Sequence, residues 1–321
     1  MSPADSTIEM VSRRVTRAER IADDIHLFEF RDPAGADLPA FFAGAHVSVR
    51  VPNGLVRKYS LCNDPAERDR YVIAVKREPS SRGGSQSLID DTRLGDELPV
   101  SAPVNNFALA RSPGGYLLVA GGIGITPIVA MMHQLRANGG RFHLYYCTRA
   151  ATTTAFREEL AEFRGQGNNV TLHHDGGDPA QSLDLWPIVE APKGRHLYCC
   201  GPRGLMQAVR DMTGHWSPSA VHFESFTDAA PRPDDRPFTV RLARSGATVE
   251  VPVGMTILEA LRAHGVEVPS SCESGTCGTC RTRLIAGEAD HRDLVLAEDE
   301  RARNIMLCVS RAISAELVID R

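Results

Sequence analysis

The first third of the chain consists of short runs of strand length between turn residues. Ala45-His46-Val47-Ser48-Val49-Arg50-Val51 puts an apolar side chain at every second position, and Arg70-Tyr71-Val72-Ile73-Ala74-Val75 is almost wholly apolar. Period two buries one face of a strand, and a short unbroken run buries both. Up to about residue 107 only residues 85–92 have helical spacing, so this region predicts a small antiparallel β-barrel.

From Tyr116 the pattern changes. Apolar strands are expected at 116–120, 142–147, 170–174 and 196–200, separated by helix-length segments that include one ending near Arg136 and one at 154–164. That rhythm predicts an α/β domain with a parallel sheet and crossover helices, closed by residues 220–226. Thr227-Asp228-Ala229-Ala230-Pro231-Arg232-Pro233-Asp234-Asp235-Arg236-Pro237 then has the composition of an exposed tether. Beyond it, 238–242 and 248–251 read as a hairpin and 256–264 as a helix. The expected organisation is multidomain: 1–110 for the barrel, 111–227 for the α/β domain, 228–237 for the linker and 238–321 for a third domain.

Composition narrows the classes of partner. The 36 lysines and arginines against 40 acidic residues give a net charge of -4, with no basic field for nucleic acid or an anionic membrane. No apolar segment of signal-peptide type opens the chain, and the longest apolar stretch is broken by Gly121, Gly122, Gly124 and Pro127. A cytoplasmic protein without a membrane span is expected. In such a reducing compartment, eight cysteines argue for metal or catalytic roles rather than disulfides.

Three of those cysteines crowd into Ser270-Ser271-Cys272-Glu273-Ser274-Gly275-Thr276-Cys277-Gly278-Thr279-Cys280, and Cys308 stands far downstream. C-x4-C-x2-C followed by a distant fourth cysteine is plant-type [2Fe-2S] spacing. Gly275 and Gly278 let the backbone curl where a positive φ is needed. A four-cysteine zinc site is the alternative, but it favours two C-x2-C knuckles and only Cys277 and Cys280 make one. Cys62, Cys147 and Cys199 lie in or beside apolar strands and read as core. With these four ligands, residues 238–321 resemble a plant-type ferredoxin domain. Gly287-Glu288-Ala289-Asp290-His291-Arg292-Asp293, leading to Met306-Leu307-Cys308-Val309-Ser310, resembles the form fused to the C-terminus of the phthalate dioxygenase reductase family. The resemblance implies a β-grasp fold.

Two further sets of motifs precede it. Arg57-Lys58-Tyr59-Ser60-Leu61 follows a strand and resembles the arginine-x-tyrosine-serine flavin motif of the ferredoxin reductase superfamily. An arginine neutralises phosphate, an aromatic stacks, and a hydroxyl hydrogen-bonds near the reacting flavin nitrogen. Arg82-Gly83-Gly84-Ser85 brings backbone amides to the phosphate if Ser85 opens a helix. Val75 and Lys76 stand where relatives lay backbone against the flavin ring.

Gly121-Gly122-Ile123-Gly124-Ile125-Thr126-Pro127 connects a strand to a helix, with Thr126 expected at the N-cap and Pro127 at the first helical position. Gly122, Gly124 and Thr126 are its candidate ligand-binding residues. Pro127 replaces the third glycine of the dinucleotide fingerprint, which points away from an ordinary Rossmann fold. Cys200-Gly201-Pro202 resembles the superfamily turn that sets a thiol beside nicotinamide, and Phe226 is preferred over Phe223 as the aromatic against the flavin.

The resemblance therefore runs through nearly the whole chain in one order: flavin barrel, nicotinamide domain, ferredoxin domain. It implies an NADH-dependent reductase in which FMN takes a hydride and a [2Fe-2S] cluster passes single electrons to a Rieske-type oxygenase. Ser60, Cys200 and Phe226 are the residues expected at the reacting centre. The chain shows no two-histidine-one-carboxylate motif and no Rieske Cys/His pairs, so oxygen activation is expected on the partner. Two alternatives stay open: an FAD-dependent NAD(P)H ferredoxin-type reductase, and a non-enzymatic redox-sensing metal-binding adaptor.

Overall fold

The computed structural model describes residues 9–78, 83–165, 169–226 and 232–321. The chain divides into two compact units, one ending at Phe223 and the other beginning at Glu224.

The first unit opens with an antiparallel barrel: β1 (Met10–Ala22), β2 (Ile25–Arg31), β3 (Ala45–Arg50), β4 (Val56–Ser60), β5 (Tyr71–Lys76), helix α1 (Gly84–Asp91), β6 (Glu97–Ser101) and a short β7 (Val104–Asn105). The strand order is β4-β3-β6-β1-β2-β5, with β7 on β3. Leu61 bridges to Ile73 and the Cys62 amide donates to the Val72 carbonyl (2.9 Å), so the two edges meet and the barrel closes. Val15, Phe30, Val47, Val49, Leu61 and Ile73 fill it, the inward half of each alternating pattern.

A polar tie on this barrel gives a stability test. Glu29 accepts hydrogen bonds from Arg70 (2.8 Å), Arg31 (2.7 Å) and Thr16 (2.8 Å). Burial alone would raise its pKa, but these three donors outweigh it and hold the carboxyl at about 2, below its ordinary 4.5. Because the folded pKa is depressed, the stabilisation is present above pH 4.5 and lost as pH falls from 4.5 towards 2. Glu29→Gln is expected to cost about 1–2 kcal/mol at pH 7. The gap to the parent chain in denaturant titrations should close at pH 2.

The same unit continues into a parallel sheet: β8 (Tyr116–Gly121), α2 (Ile125–Ala137), β9 (Phe142–Thr148), α3 (Arg157–Gly165), β10 (Asn169–His174), α4 (Trp186–Val189), β11 (His196–Cys200), α5 (Arg203–Met212) and β12 (Val221–Glu224), in the order β10-β9-β8-β11-β12. The pairs β10–β9, β9–β8 and β8–β11 are parallel. Helix α3 starts at Arg157, later than the spacing predicts, because Phe156 adopts a positive φ of 58° that a helix does not accept. Helix α2 is buried from Ile125 to Met132. Its apolar side chains share one core with Leu118, Leu144 and Tyr146 of the sheet and with Ala22, Ile25, Ala43, Ala74 and Phe107 of the barrel region. The Ala43 amide also donates to Gln134 Oε1 (2.9 Å).

The second unit is a β-grasp: β13 (Phe238–Leu242), β14 (Thr248–Val251), α6 (Ile257–Ala263), β15 (Arg281–Ala286), β16 (Ala289–Asp290), α7 (Glu298–Arg301), β17 (Asn304–Met306), β18 (Arg311–Ala312) and β19 (Glu316–Ile319). Its main sheet runs β14-β13-β19-β15-β17, and β16 and β18 form a separate ribbon. Strands β13 and β19 are parallel. Thr256 caps α6 through a reciprocal box, its hydroxyl accepting the Glu259 amide (3.1 Å) and its own amide donating to Glu259 (2.8 Å). Among the described residues no helix is long and apolar enough to cross a membrane.

Candidate functional site

The arginine-tyrosine-serine motif forms strand β4 itself, paired with β3 through Val49–Arg57, Val47–Tyr59 and His46–Ser60. Period two sends Arg57 and Tyr59 to one face and the buried Ser60 to the other. Helix α1 begins at Gly84, one residue before the expected Ser85, because Gly83 takes the N-cap with φ 84°. A Cβ on Gly84 would lie 2.7 Å from Arg57 Nε and 2.9 Å from its Cγ. The arginine stem therefore lies against the open N-terminus of α1, which is the donor arrangement a phosphate takes. Ser85 follows within the helix, and its hydroxyl accepts the Glu78 amide (3.2 Å). Asn53 braces the loop: its side-chain Nδ2 donates to the Gly83 carbonyl (3.2 Å), its backbone amide donates to Ser87 Oγ (3.0 Å), and its Oδ1 accepts the Leu55 amide (3.2 Å). Val75, buried, and Lys76, exposed, end β5. Arg82 lies outside the described residues.

The Tyr59 hydroxyl is buried without a hydrogen-bond partner in the protein, and burial pushes its phenol up to about 12. An orphaned donor here fits a ligand that supplies the missing acceptor. Tyr59→Phe should weaken flavin retention about tenfold, measured by reconstitution of apoprotein, without lowering the apoprotein's own stability.

At the carboxyl ends of β8 and β11, two loops press backbone against backbone. A Cβ on Gly124 would fall 2.2 Å from the Cys200 carbonyl oxygen and 2.8 Å from the Gly201 nitrogen; one on Gly201 would fall 2.9 Å from the Gly121 nitrogen. Gly121 is crowded in turn by Pro202 (2.5 Å) and Leu205 (2.8 Å). The glycines are thus a steric requirement, and they form the floor of a crevice where parallel sheets hold nucleotides. Gly122 has φ 53°, and the buried Tyr146 hydroxyl donates to its carbonyl (3.0 Å).

Thr126 is not the N-cap. A 3-10 turn over Gly122–Gly124 runs straight into α2, so Gly124 occupies the cap and Ile125 opens the helix. The Thr126 hydroxyl instead donates to the Ile123 carbonyl (3.1 Å), and Pro127 is the third helical residue, where its missing N–H has no intrahelical partner to lose. Cys200 is fully buried at the end of β11, with Gly201 and Pro202 leading into α5. Phe226 lies two residues past β12 and is 43% exposed. Of the cysteines read as core, Cys62 and Cys199 are buried, whereas Cys147 is half-buried at the open end of β9.

In the second unit, Gly275 and Gly278 have φ 75° and 84°, as the curl of the cysteine loop requires. Glu273 also takes a positive φ, 58°, and its carboxylate is tied to Arg262 (2.9 Å) and Ser270 (3.0 Å). The four thiols meet two by two. Hydrogen bonding to Cys277 pulls the Cys272 thiol down to about 4, and the same contact, with burial, pushes Cys277 up. Cys308 lowers Cys280 in the same way and is itself raised. The Ser274 amide points at Cys272 Sγ (3.4 Å). Among the described residues no three His, Cys, Asp or Glu side chains converge as on a single ion. Pairing of Cys272 with Cys277 and of Cys280 with Cys308 brings together the four thiolates that a plant-type [2Fe-2S] cluster would take.

Three family models match in the order of these sites: an oxidoreductase FAD-binding domain over residues 12–109, an oxidoreductase NAD-binding domain over 118–211 and a 2Fe-2S iron-sulfur cluster binding domain over 240–312. The phthalate dioxygenase reductase of Burkholderia cepacia is 56% identical over 311 residues, covering 96% of each chain. The chain belongs to the phthalate dioxygenase reductase family. The phthalate 4,5-dioxygenase oxygenase reductase subunit of Pseudomonas putida is 55% identical over 312 residues, covering 96% of this chain and 95% of that one. A solved phthalate dioxygenase reductase, described as a modular structure for electron transfer from pyridine nucleotides to [2Fe-2S], superimposes with a TM-score of 0.73 at 55% identity, covering 97% of this chain and 98% of that one. As a member of this reductase family, the chain is an oxidoreductase with flavin, nicotinamide and 2Fe-2S domains built for electron transfer to an oxygenase.

Sequence reading missed Asn53 and Tyr146 at these sites. Asn53 looked like one residue of a Pro-Asn-Gly turn. Tyr146 was one more apolar position of a strand. Each acts through a contact with a distant segment, which no local pattern carries.

Proposed function

We propose that the chain is the NADH-dependent reductase component of an oxygenase system, with FMN in the barrel, NADH at the glycine-floored crevice and a [2Fe-2S] cluster on Cys272, Cys277, Cys280 and Cys308. Residues 1–110, 111–227 and 238–321 serve these three roles, with 228–237 as the connection. The reading rests chiefly on one observation: the phosphate cradle and the crevice lie in one compact unit, in which barrel and parallel sheet share a core, while the thiol pairs occupy the other unit.

When bound, NADH supplies a hydride to the flavin, and flavin and cluster together turn that electron pair into single-electron transfers. The protein's side chains hold and orient. Arg57 and the amides at the start of α1 bind phosphate; Tyr59 supplies a stacking face and its unpaired hydroxyl. Ser60 gives a hydroxyl on the flavin strand, and Val75 and Lys76 give backbone at its edge. Gly122, Gly124 and Thr126 receive the dinucleotide. Cys200 places a small uncharged group where the nicotinamide must approach, and Phe226 is the aromatic cover. No general base is assigned, because the step depends on ring contact rather than proton transfer.

The flavin-first domain order with a C-terminal cluster domain favours FMN over FAD. We assign a Rieske-type oxygenase as acceptor and the cytoplasm as location. Heat-released flavin should chromatograph as FMN, and the holoprotein should be brown from overlapping flavin and cluster bands. Recovery of FAD would favour the FAD-dependent alternative. Turnover reconstituted with a Rieske oxygenase checks the partner; useful rates with only a cytochrome or flavodoxin would exclude it.

Nucleotide preference gives a separate test. Arg149 follows β9, and no second basic residue stands near it in sequence until Arg157. Asp175 sits beside it, the Asp175 amide donating to the Thr148 carbonyl (3.2 Å) and the Gly176 amide to that of Arg149 (2.9 Å). A carboxylate there disfavours a 2′-phosphate. NADH should exceed NADPH in kcat/KM; an NADPH preference that disappears in Arg149→Ala would reverse the assignment.

A further inference from the structure

The stretch expected to be an exposed tether is held down at its far end. The Asp235 side chain is only 4% exposed and lies between two arginines that are themselves buried, Arg292 at 4% and Arg311 at 7%. Arg292 Nη1 donates to Asp235 Oδ2 (3.2 Å) and its Nη2 to Oδ1, while Arg311 Nε stands 3.6 Å from Oδ2. The same carboxylate accepts the Arg232 amide (3.0 Å), and the Asp235 amide donates back to the Arg232 carbonyl (3.0 Å). Arg311 also grips the backbone of this stretch at the Arg236 carbonyl (3.0 Å) and is fixed by the carbonyls of Met255 (2.7 Å) and Pro252 (3.2 Å). Charges are buried only where they are paired, and a plain spacer needs none.

Both arginines sit on the segments that build the cysteine site. Arg292 precedes Asp293, whose carboxylate caps the amides of Val295 (2.9 Å) and Leu296 (2.7 Å); Leu294 between them donates to the Gly275 carbonyl inside the cysteine loop (3.0 Å). Arg311 comes three residues after Cys308, on β18, and pairs with Asp290 of β16. One buried ion cluster therefore joins the connecting stretch to the elements that carry the thiols.

We propose that Asp235 is a positioning residue for electron transfer between flavin and cluster, clasping residues 232–237 onto the cluster-bearing segments and so removing six residues from the covalent connection between the two units. This rests on the reading that electrons pass from flavin to cluster within the chain. A longer connection lowers the effective concentration of one unit at the other, roughly as the −3/2 power of its length.

The test uses the full-length holoprotein mixed with NADH in single turnover, following flavin and cluster bleaching separately, with hydrogen exchange of the peptide spanning 232–240 as a second readout. Asp235→Asn should keep full iron content and the parent rate of flavin reduction, exchange faster in that peptide, and reduce its cluster about two- to fourfold more slowly. Six Gly/Ser residues inserted before Arg232, with Asp235 intact, should give the same slowing without faster exchange. The proposal fails if exchange is unchanged in Asp235→Asn, if exchange rises while cluster reduction keeps its rate, if the insertion has no effect, or if Asp235→Asn loses iron. Absence of NADH-driven cluster bleaching in the unaltered chain would instead refute the electron route itself.

Discussion

A chain ending at Ala230 should remain folded and yellow and still oxidise NADH with ferricyanide, while reduction of cytochrome c or of an oxygenase falls to background. The expectation follows from the division of the structure. The phosphate cradle and the glycine-floored crevice lie in the unit that ends at Phe223, and all four paired thiols lie in the other. Ferricyanide discharges reduced flavin directly, whereas one-electron acceptors that dock at the cluster lose their source. In the full-length chain, Cys272→Ser should reproduce the loss by breaking one thiol pair, with iron content measured alongside. If the truncated chain transferred electrons to the oxygenase at full rate, the cluster would not be the exit.

Gly124→Ala should be nearly as damaging, through a different step. The added methyl would sit 2.2 Å from the Cys200 carbonyl oxygen and 2.5 Å from its carbon, both backbone atoms that no rotamer change moves aside. Either the Gly122–Gly124 turn or the Cys200-Gly201-Pro202 turn must shift, and both border the nucleotide crevice. A displacement near 1 Å at a hydride-transfer site costs on the order of 100-fold in rate. A fall of that size in kcat/KM for NADH is expected, with flavin content unchanged and dithionite still reducing flavin and cluster at the parent rate. A variant that kept NADH turnover within twofold would show that the two turns have slack.

These predictions draw on features of unequal visibility in the sequence. The cysteine loop, the arginine-tyrosine-serine strand and the Gly-Pro turns were legible because their chemistry is compressed into a few neighbouring residues whose spacing dictates geometry. Strand and helix order was legible for the same reason: Phe142 to Thr148 alternates with strand period, and Thr256 with Glu259 announces a helix start. The errors fell where an unmarked local turn or a distant segment decides. Thr126 has the chemistry of a cap, but the 3-10 turn before it already supplies the carbonyls that the Ile125 amide takes. Asp235 sits in a proline-rich stretch that reads as solvated. Its burial depends on Arg292 and Arg311, 57 and 76 residues onward, which is not a local property.

The continuous core that joins barrel to parallel sheet bears on how such proteins are recombined. Exchanging the barrel alone would cut through the packing of Ala22, Ile25, Ala43, Ala74 and Phe107 with helix α2, and would leave a raw apolar surface on both fragments. The β-grasp, by contrast, is a separate unit that buries its own Val240, Leu258, Leu261 and Leu317. Flavin and nicotinamide segments should therefore be inherited and grafted as one cassette, and gene fusions or engineered chimeras that alter the electron acceptor should break the chain between that cassette and Arg232. A graft made downstream of Asp235 would separate it from the arginines that hold it, and should give soluble protein with an intact cassette but an unanchored ferredoxin segment.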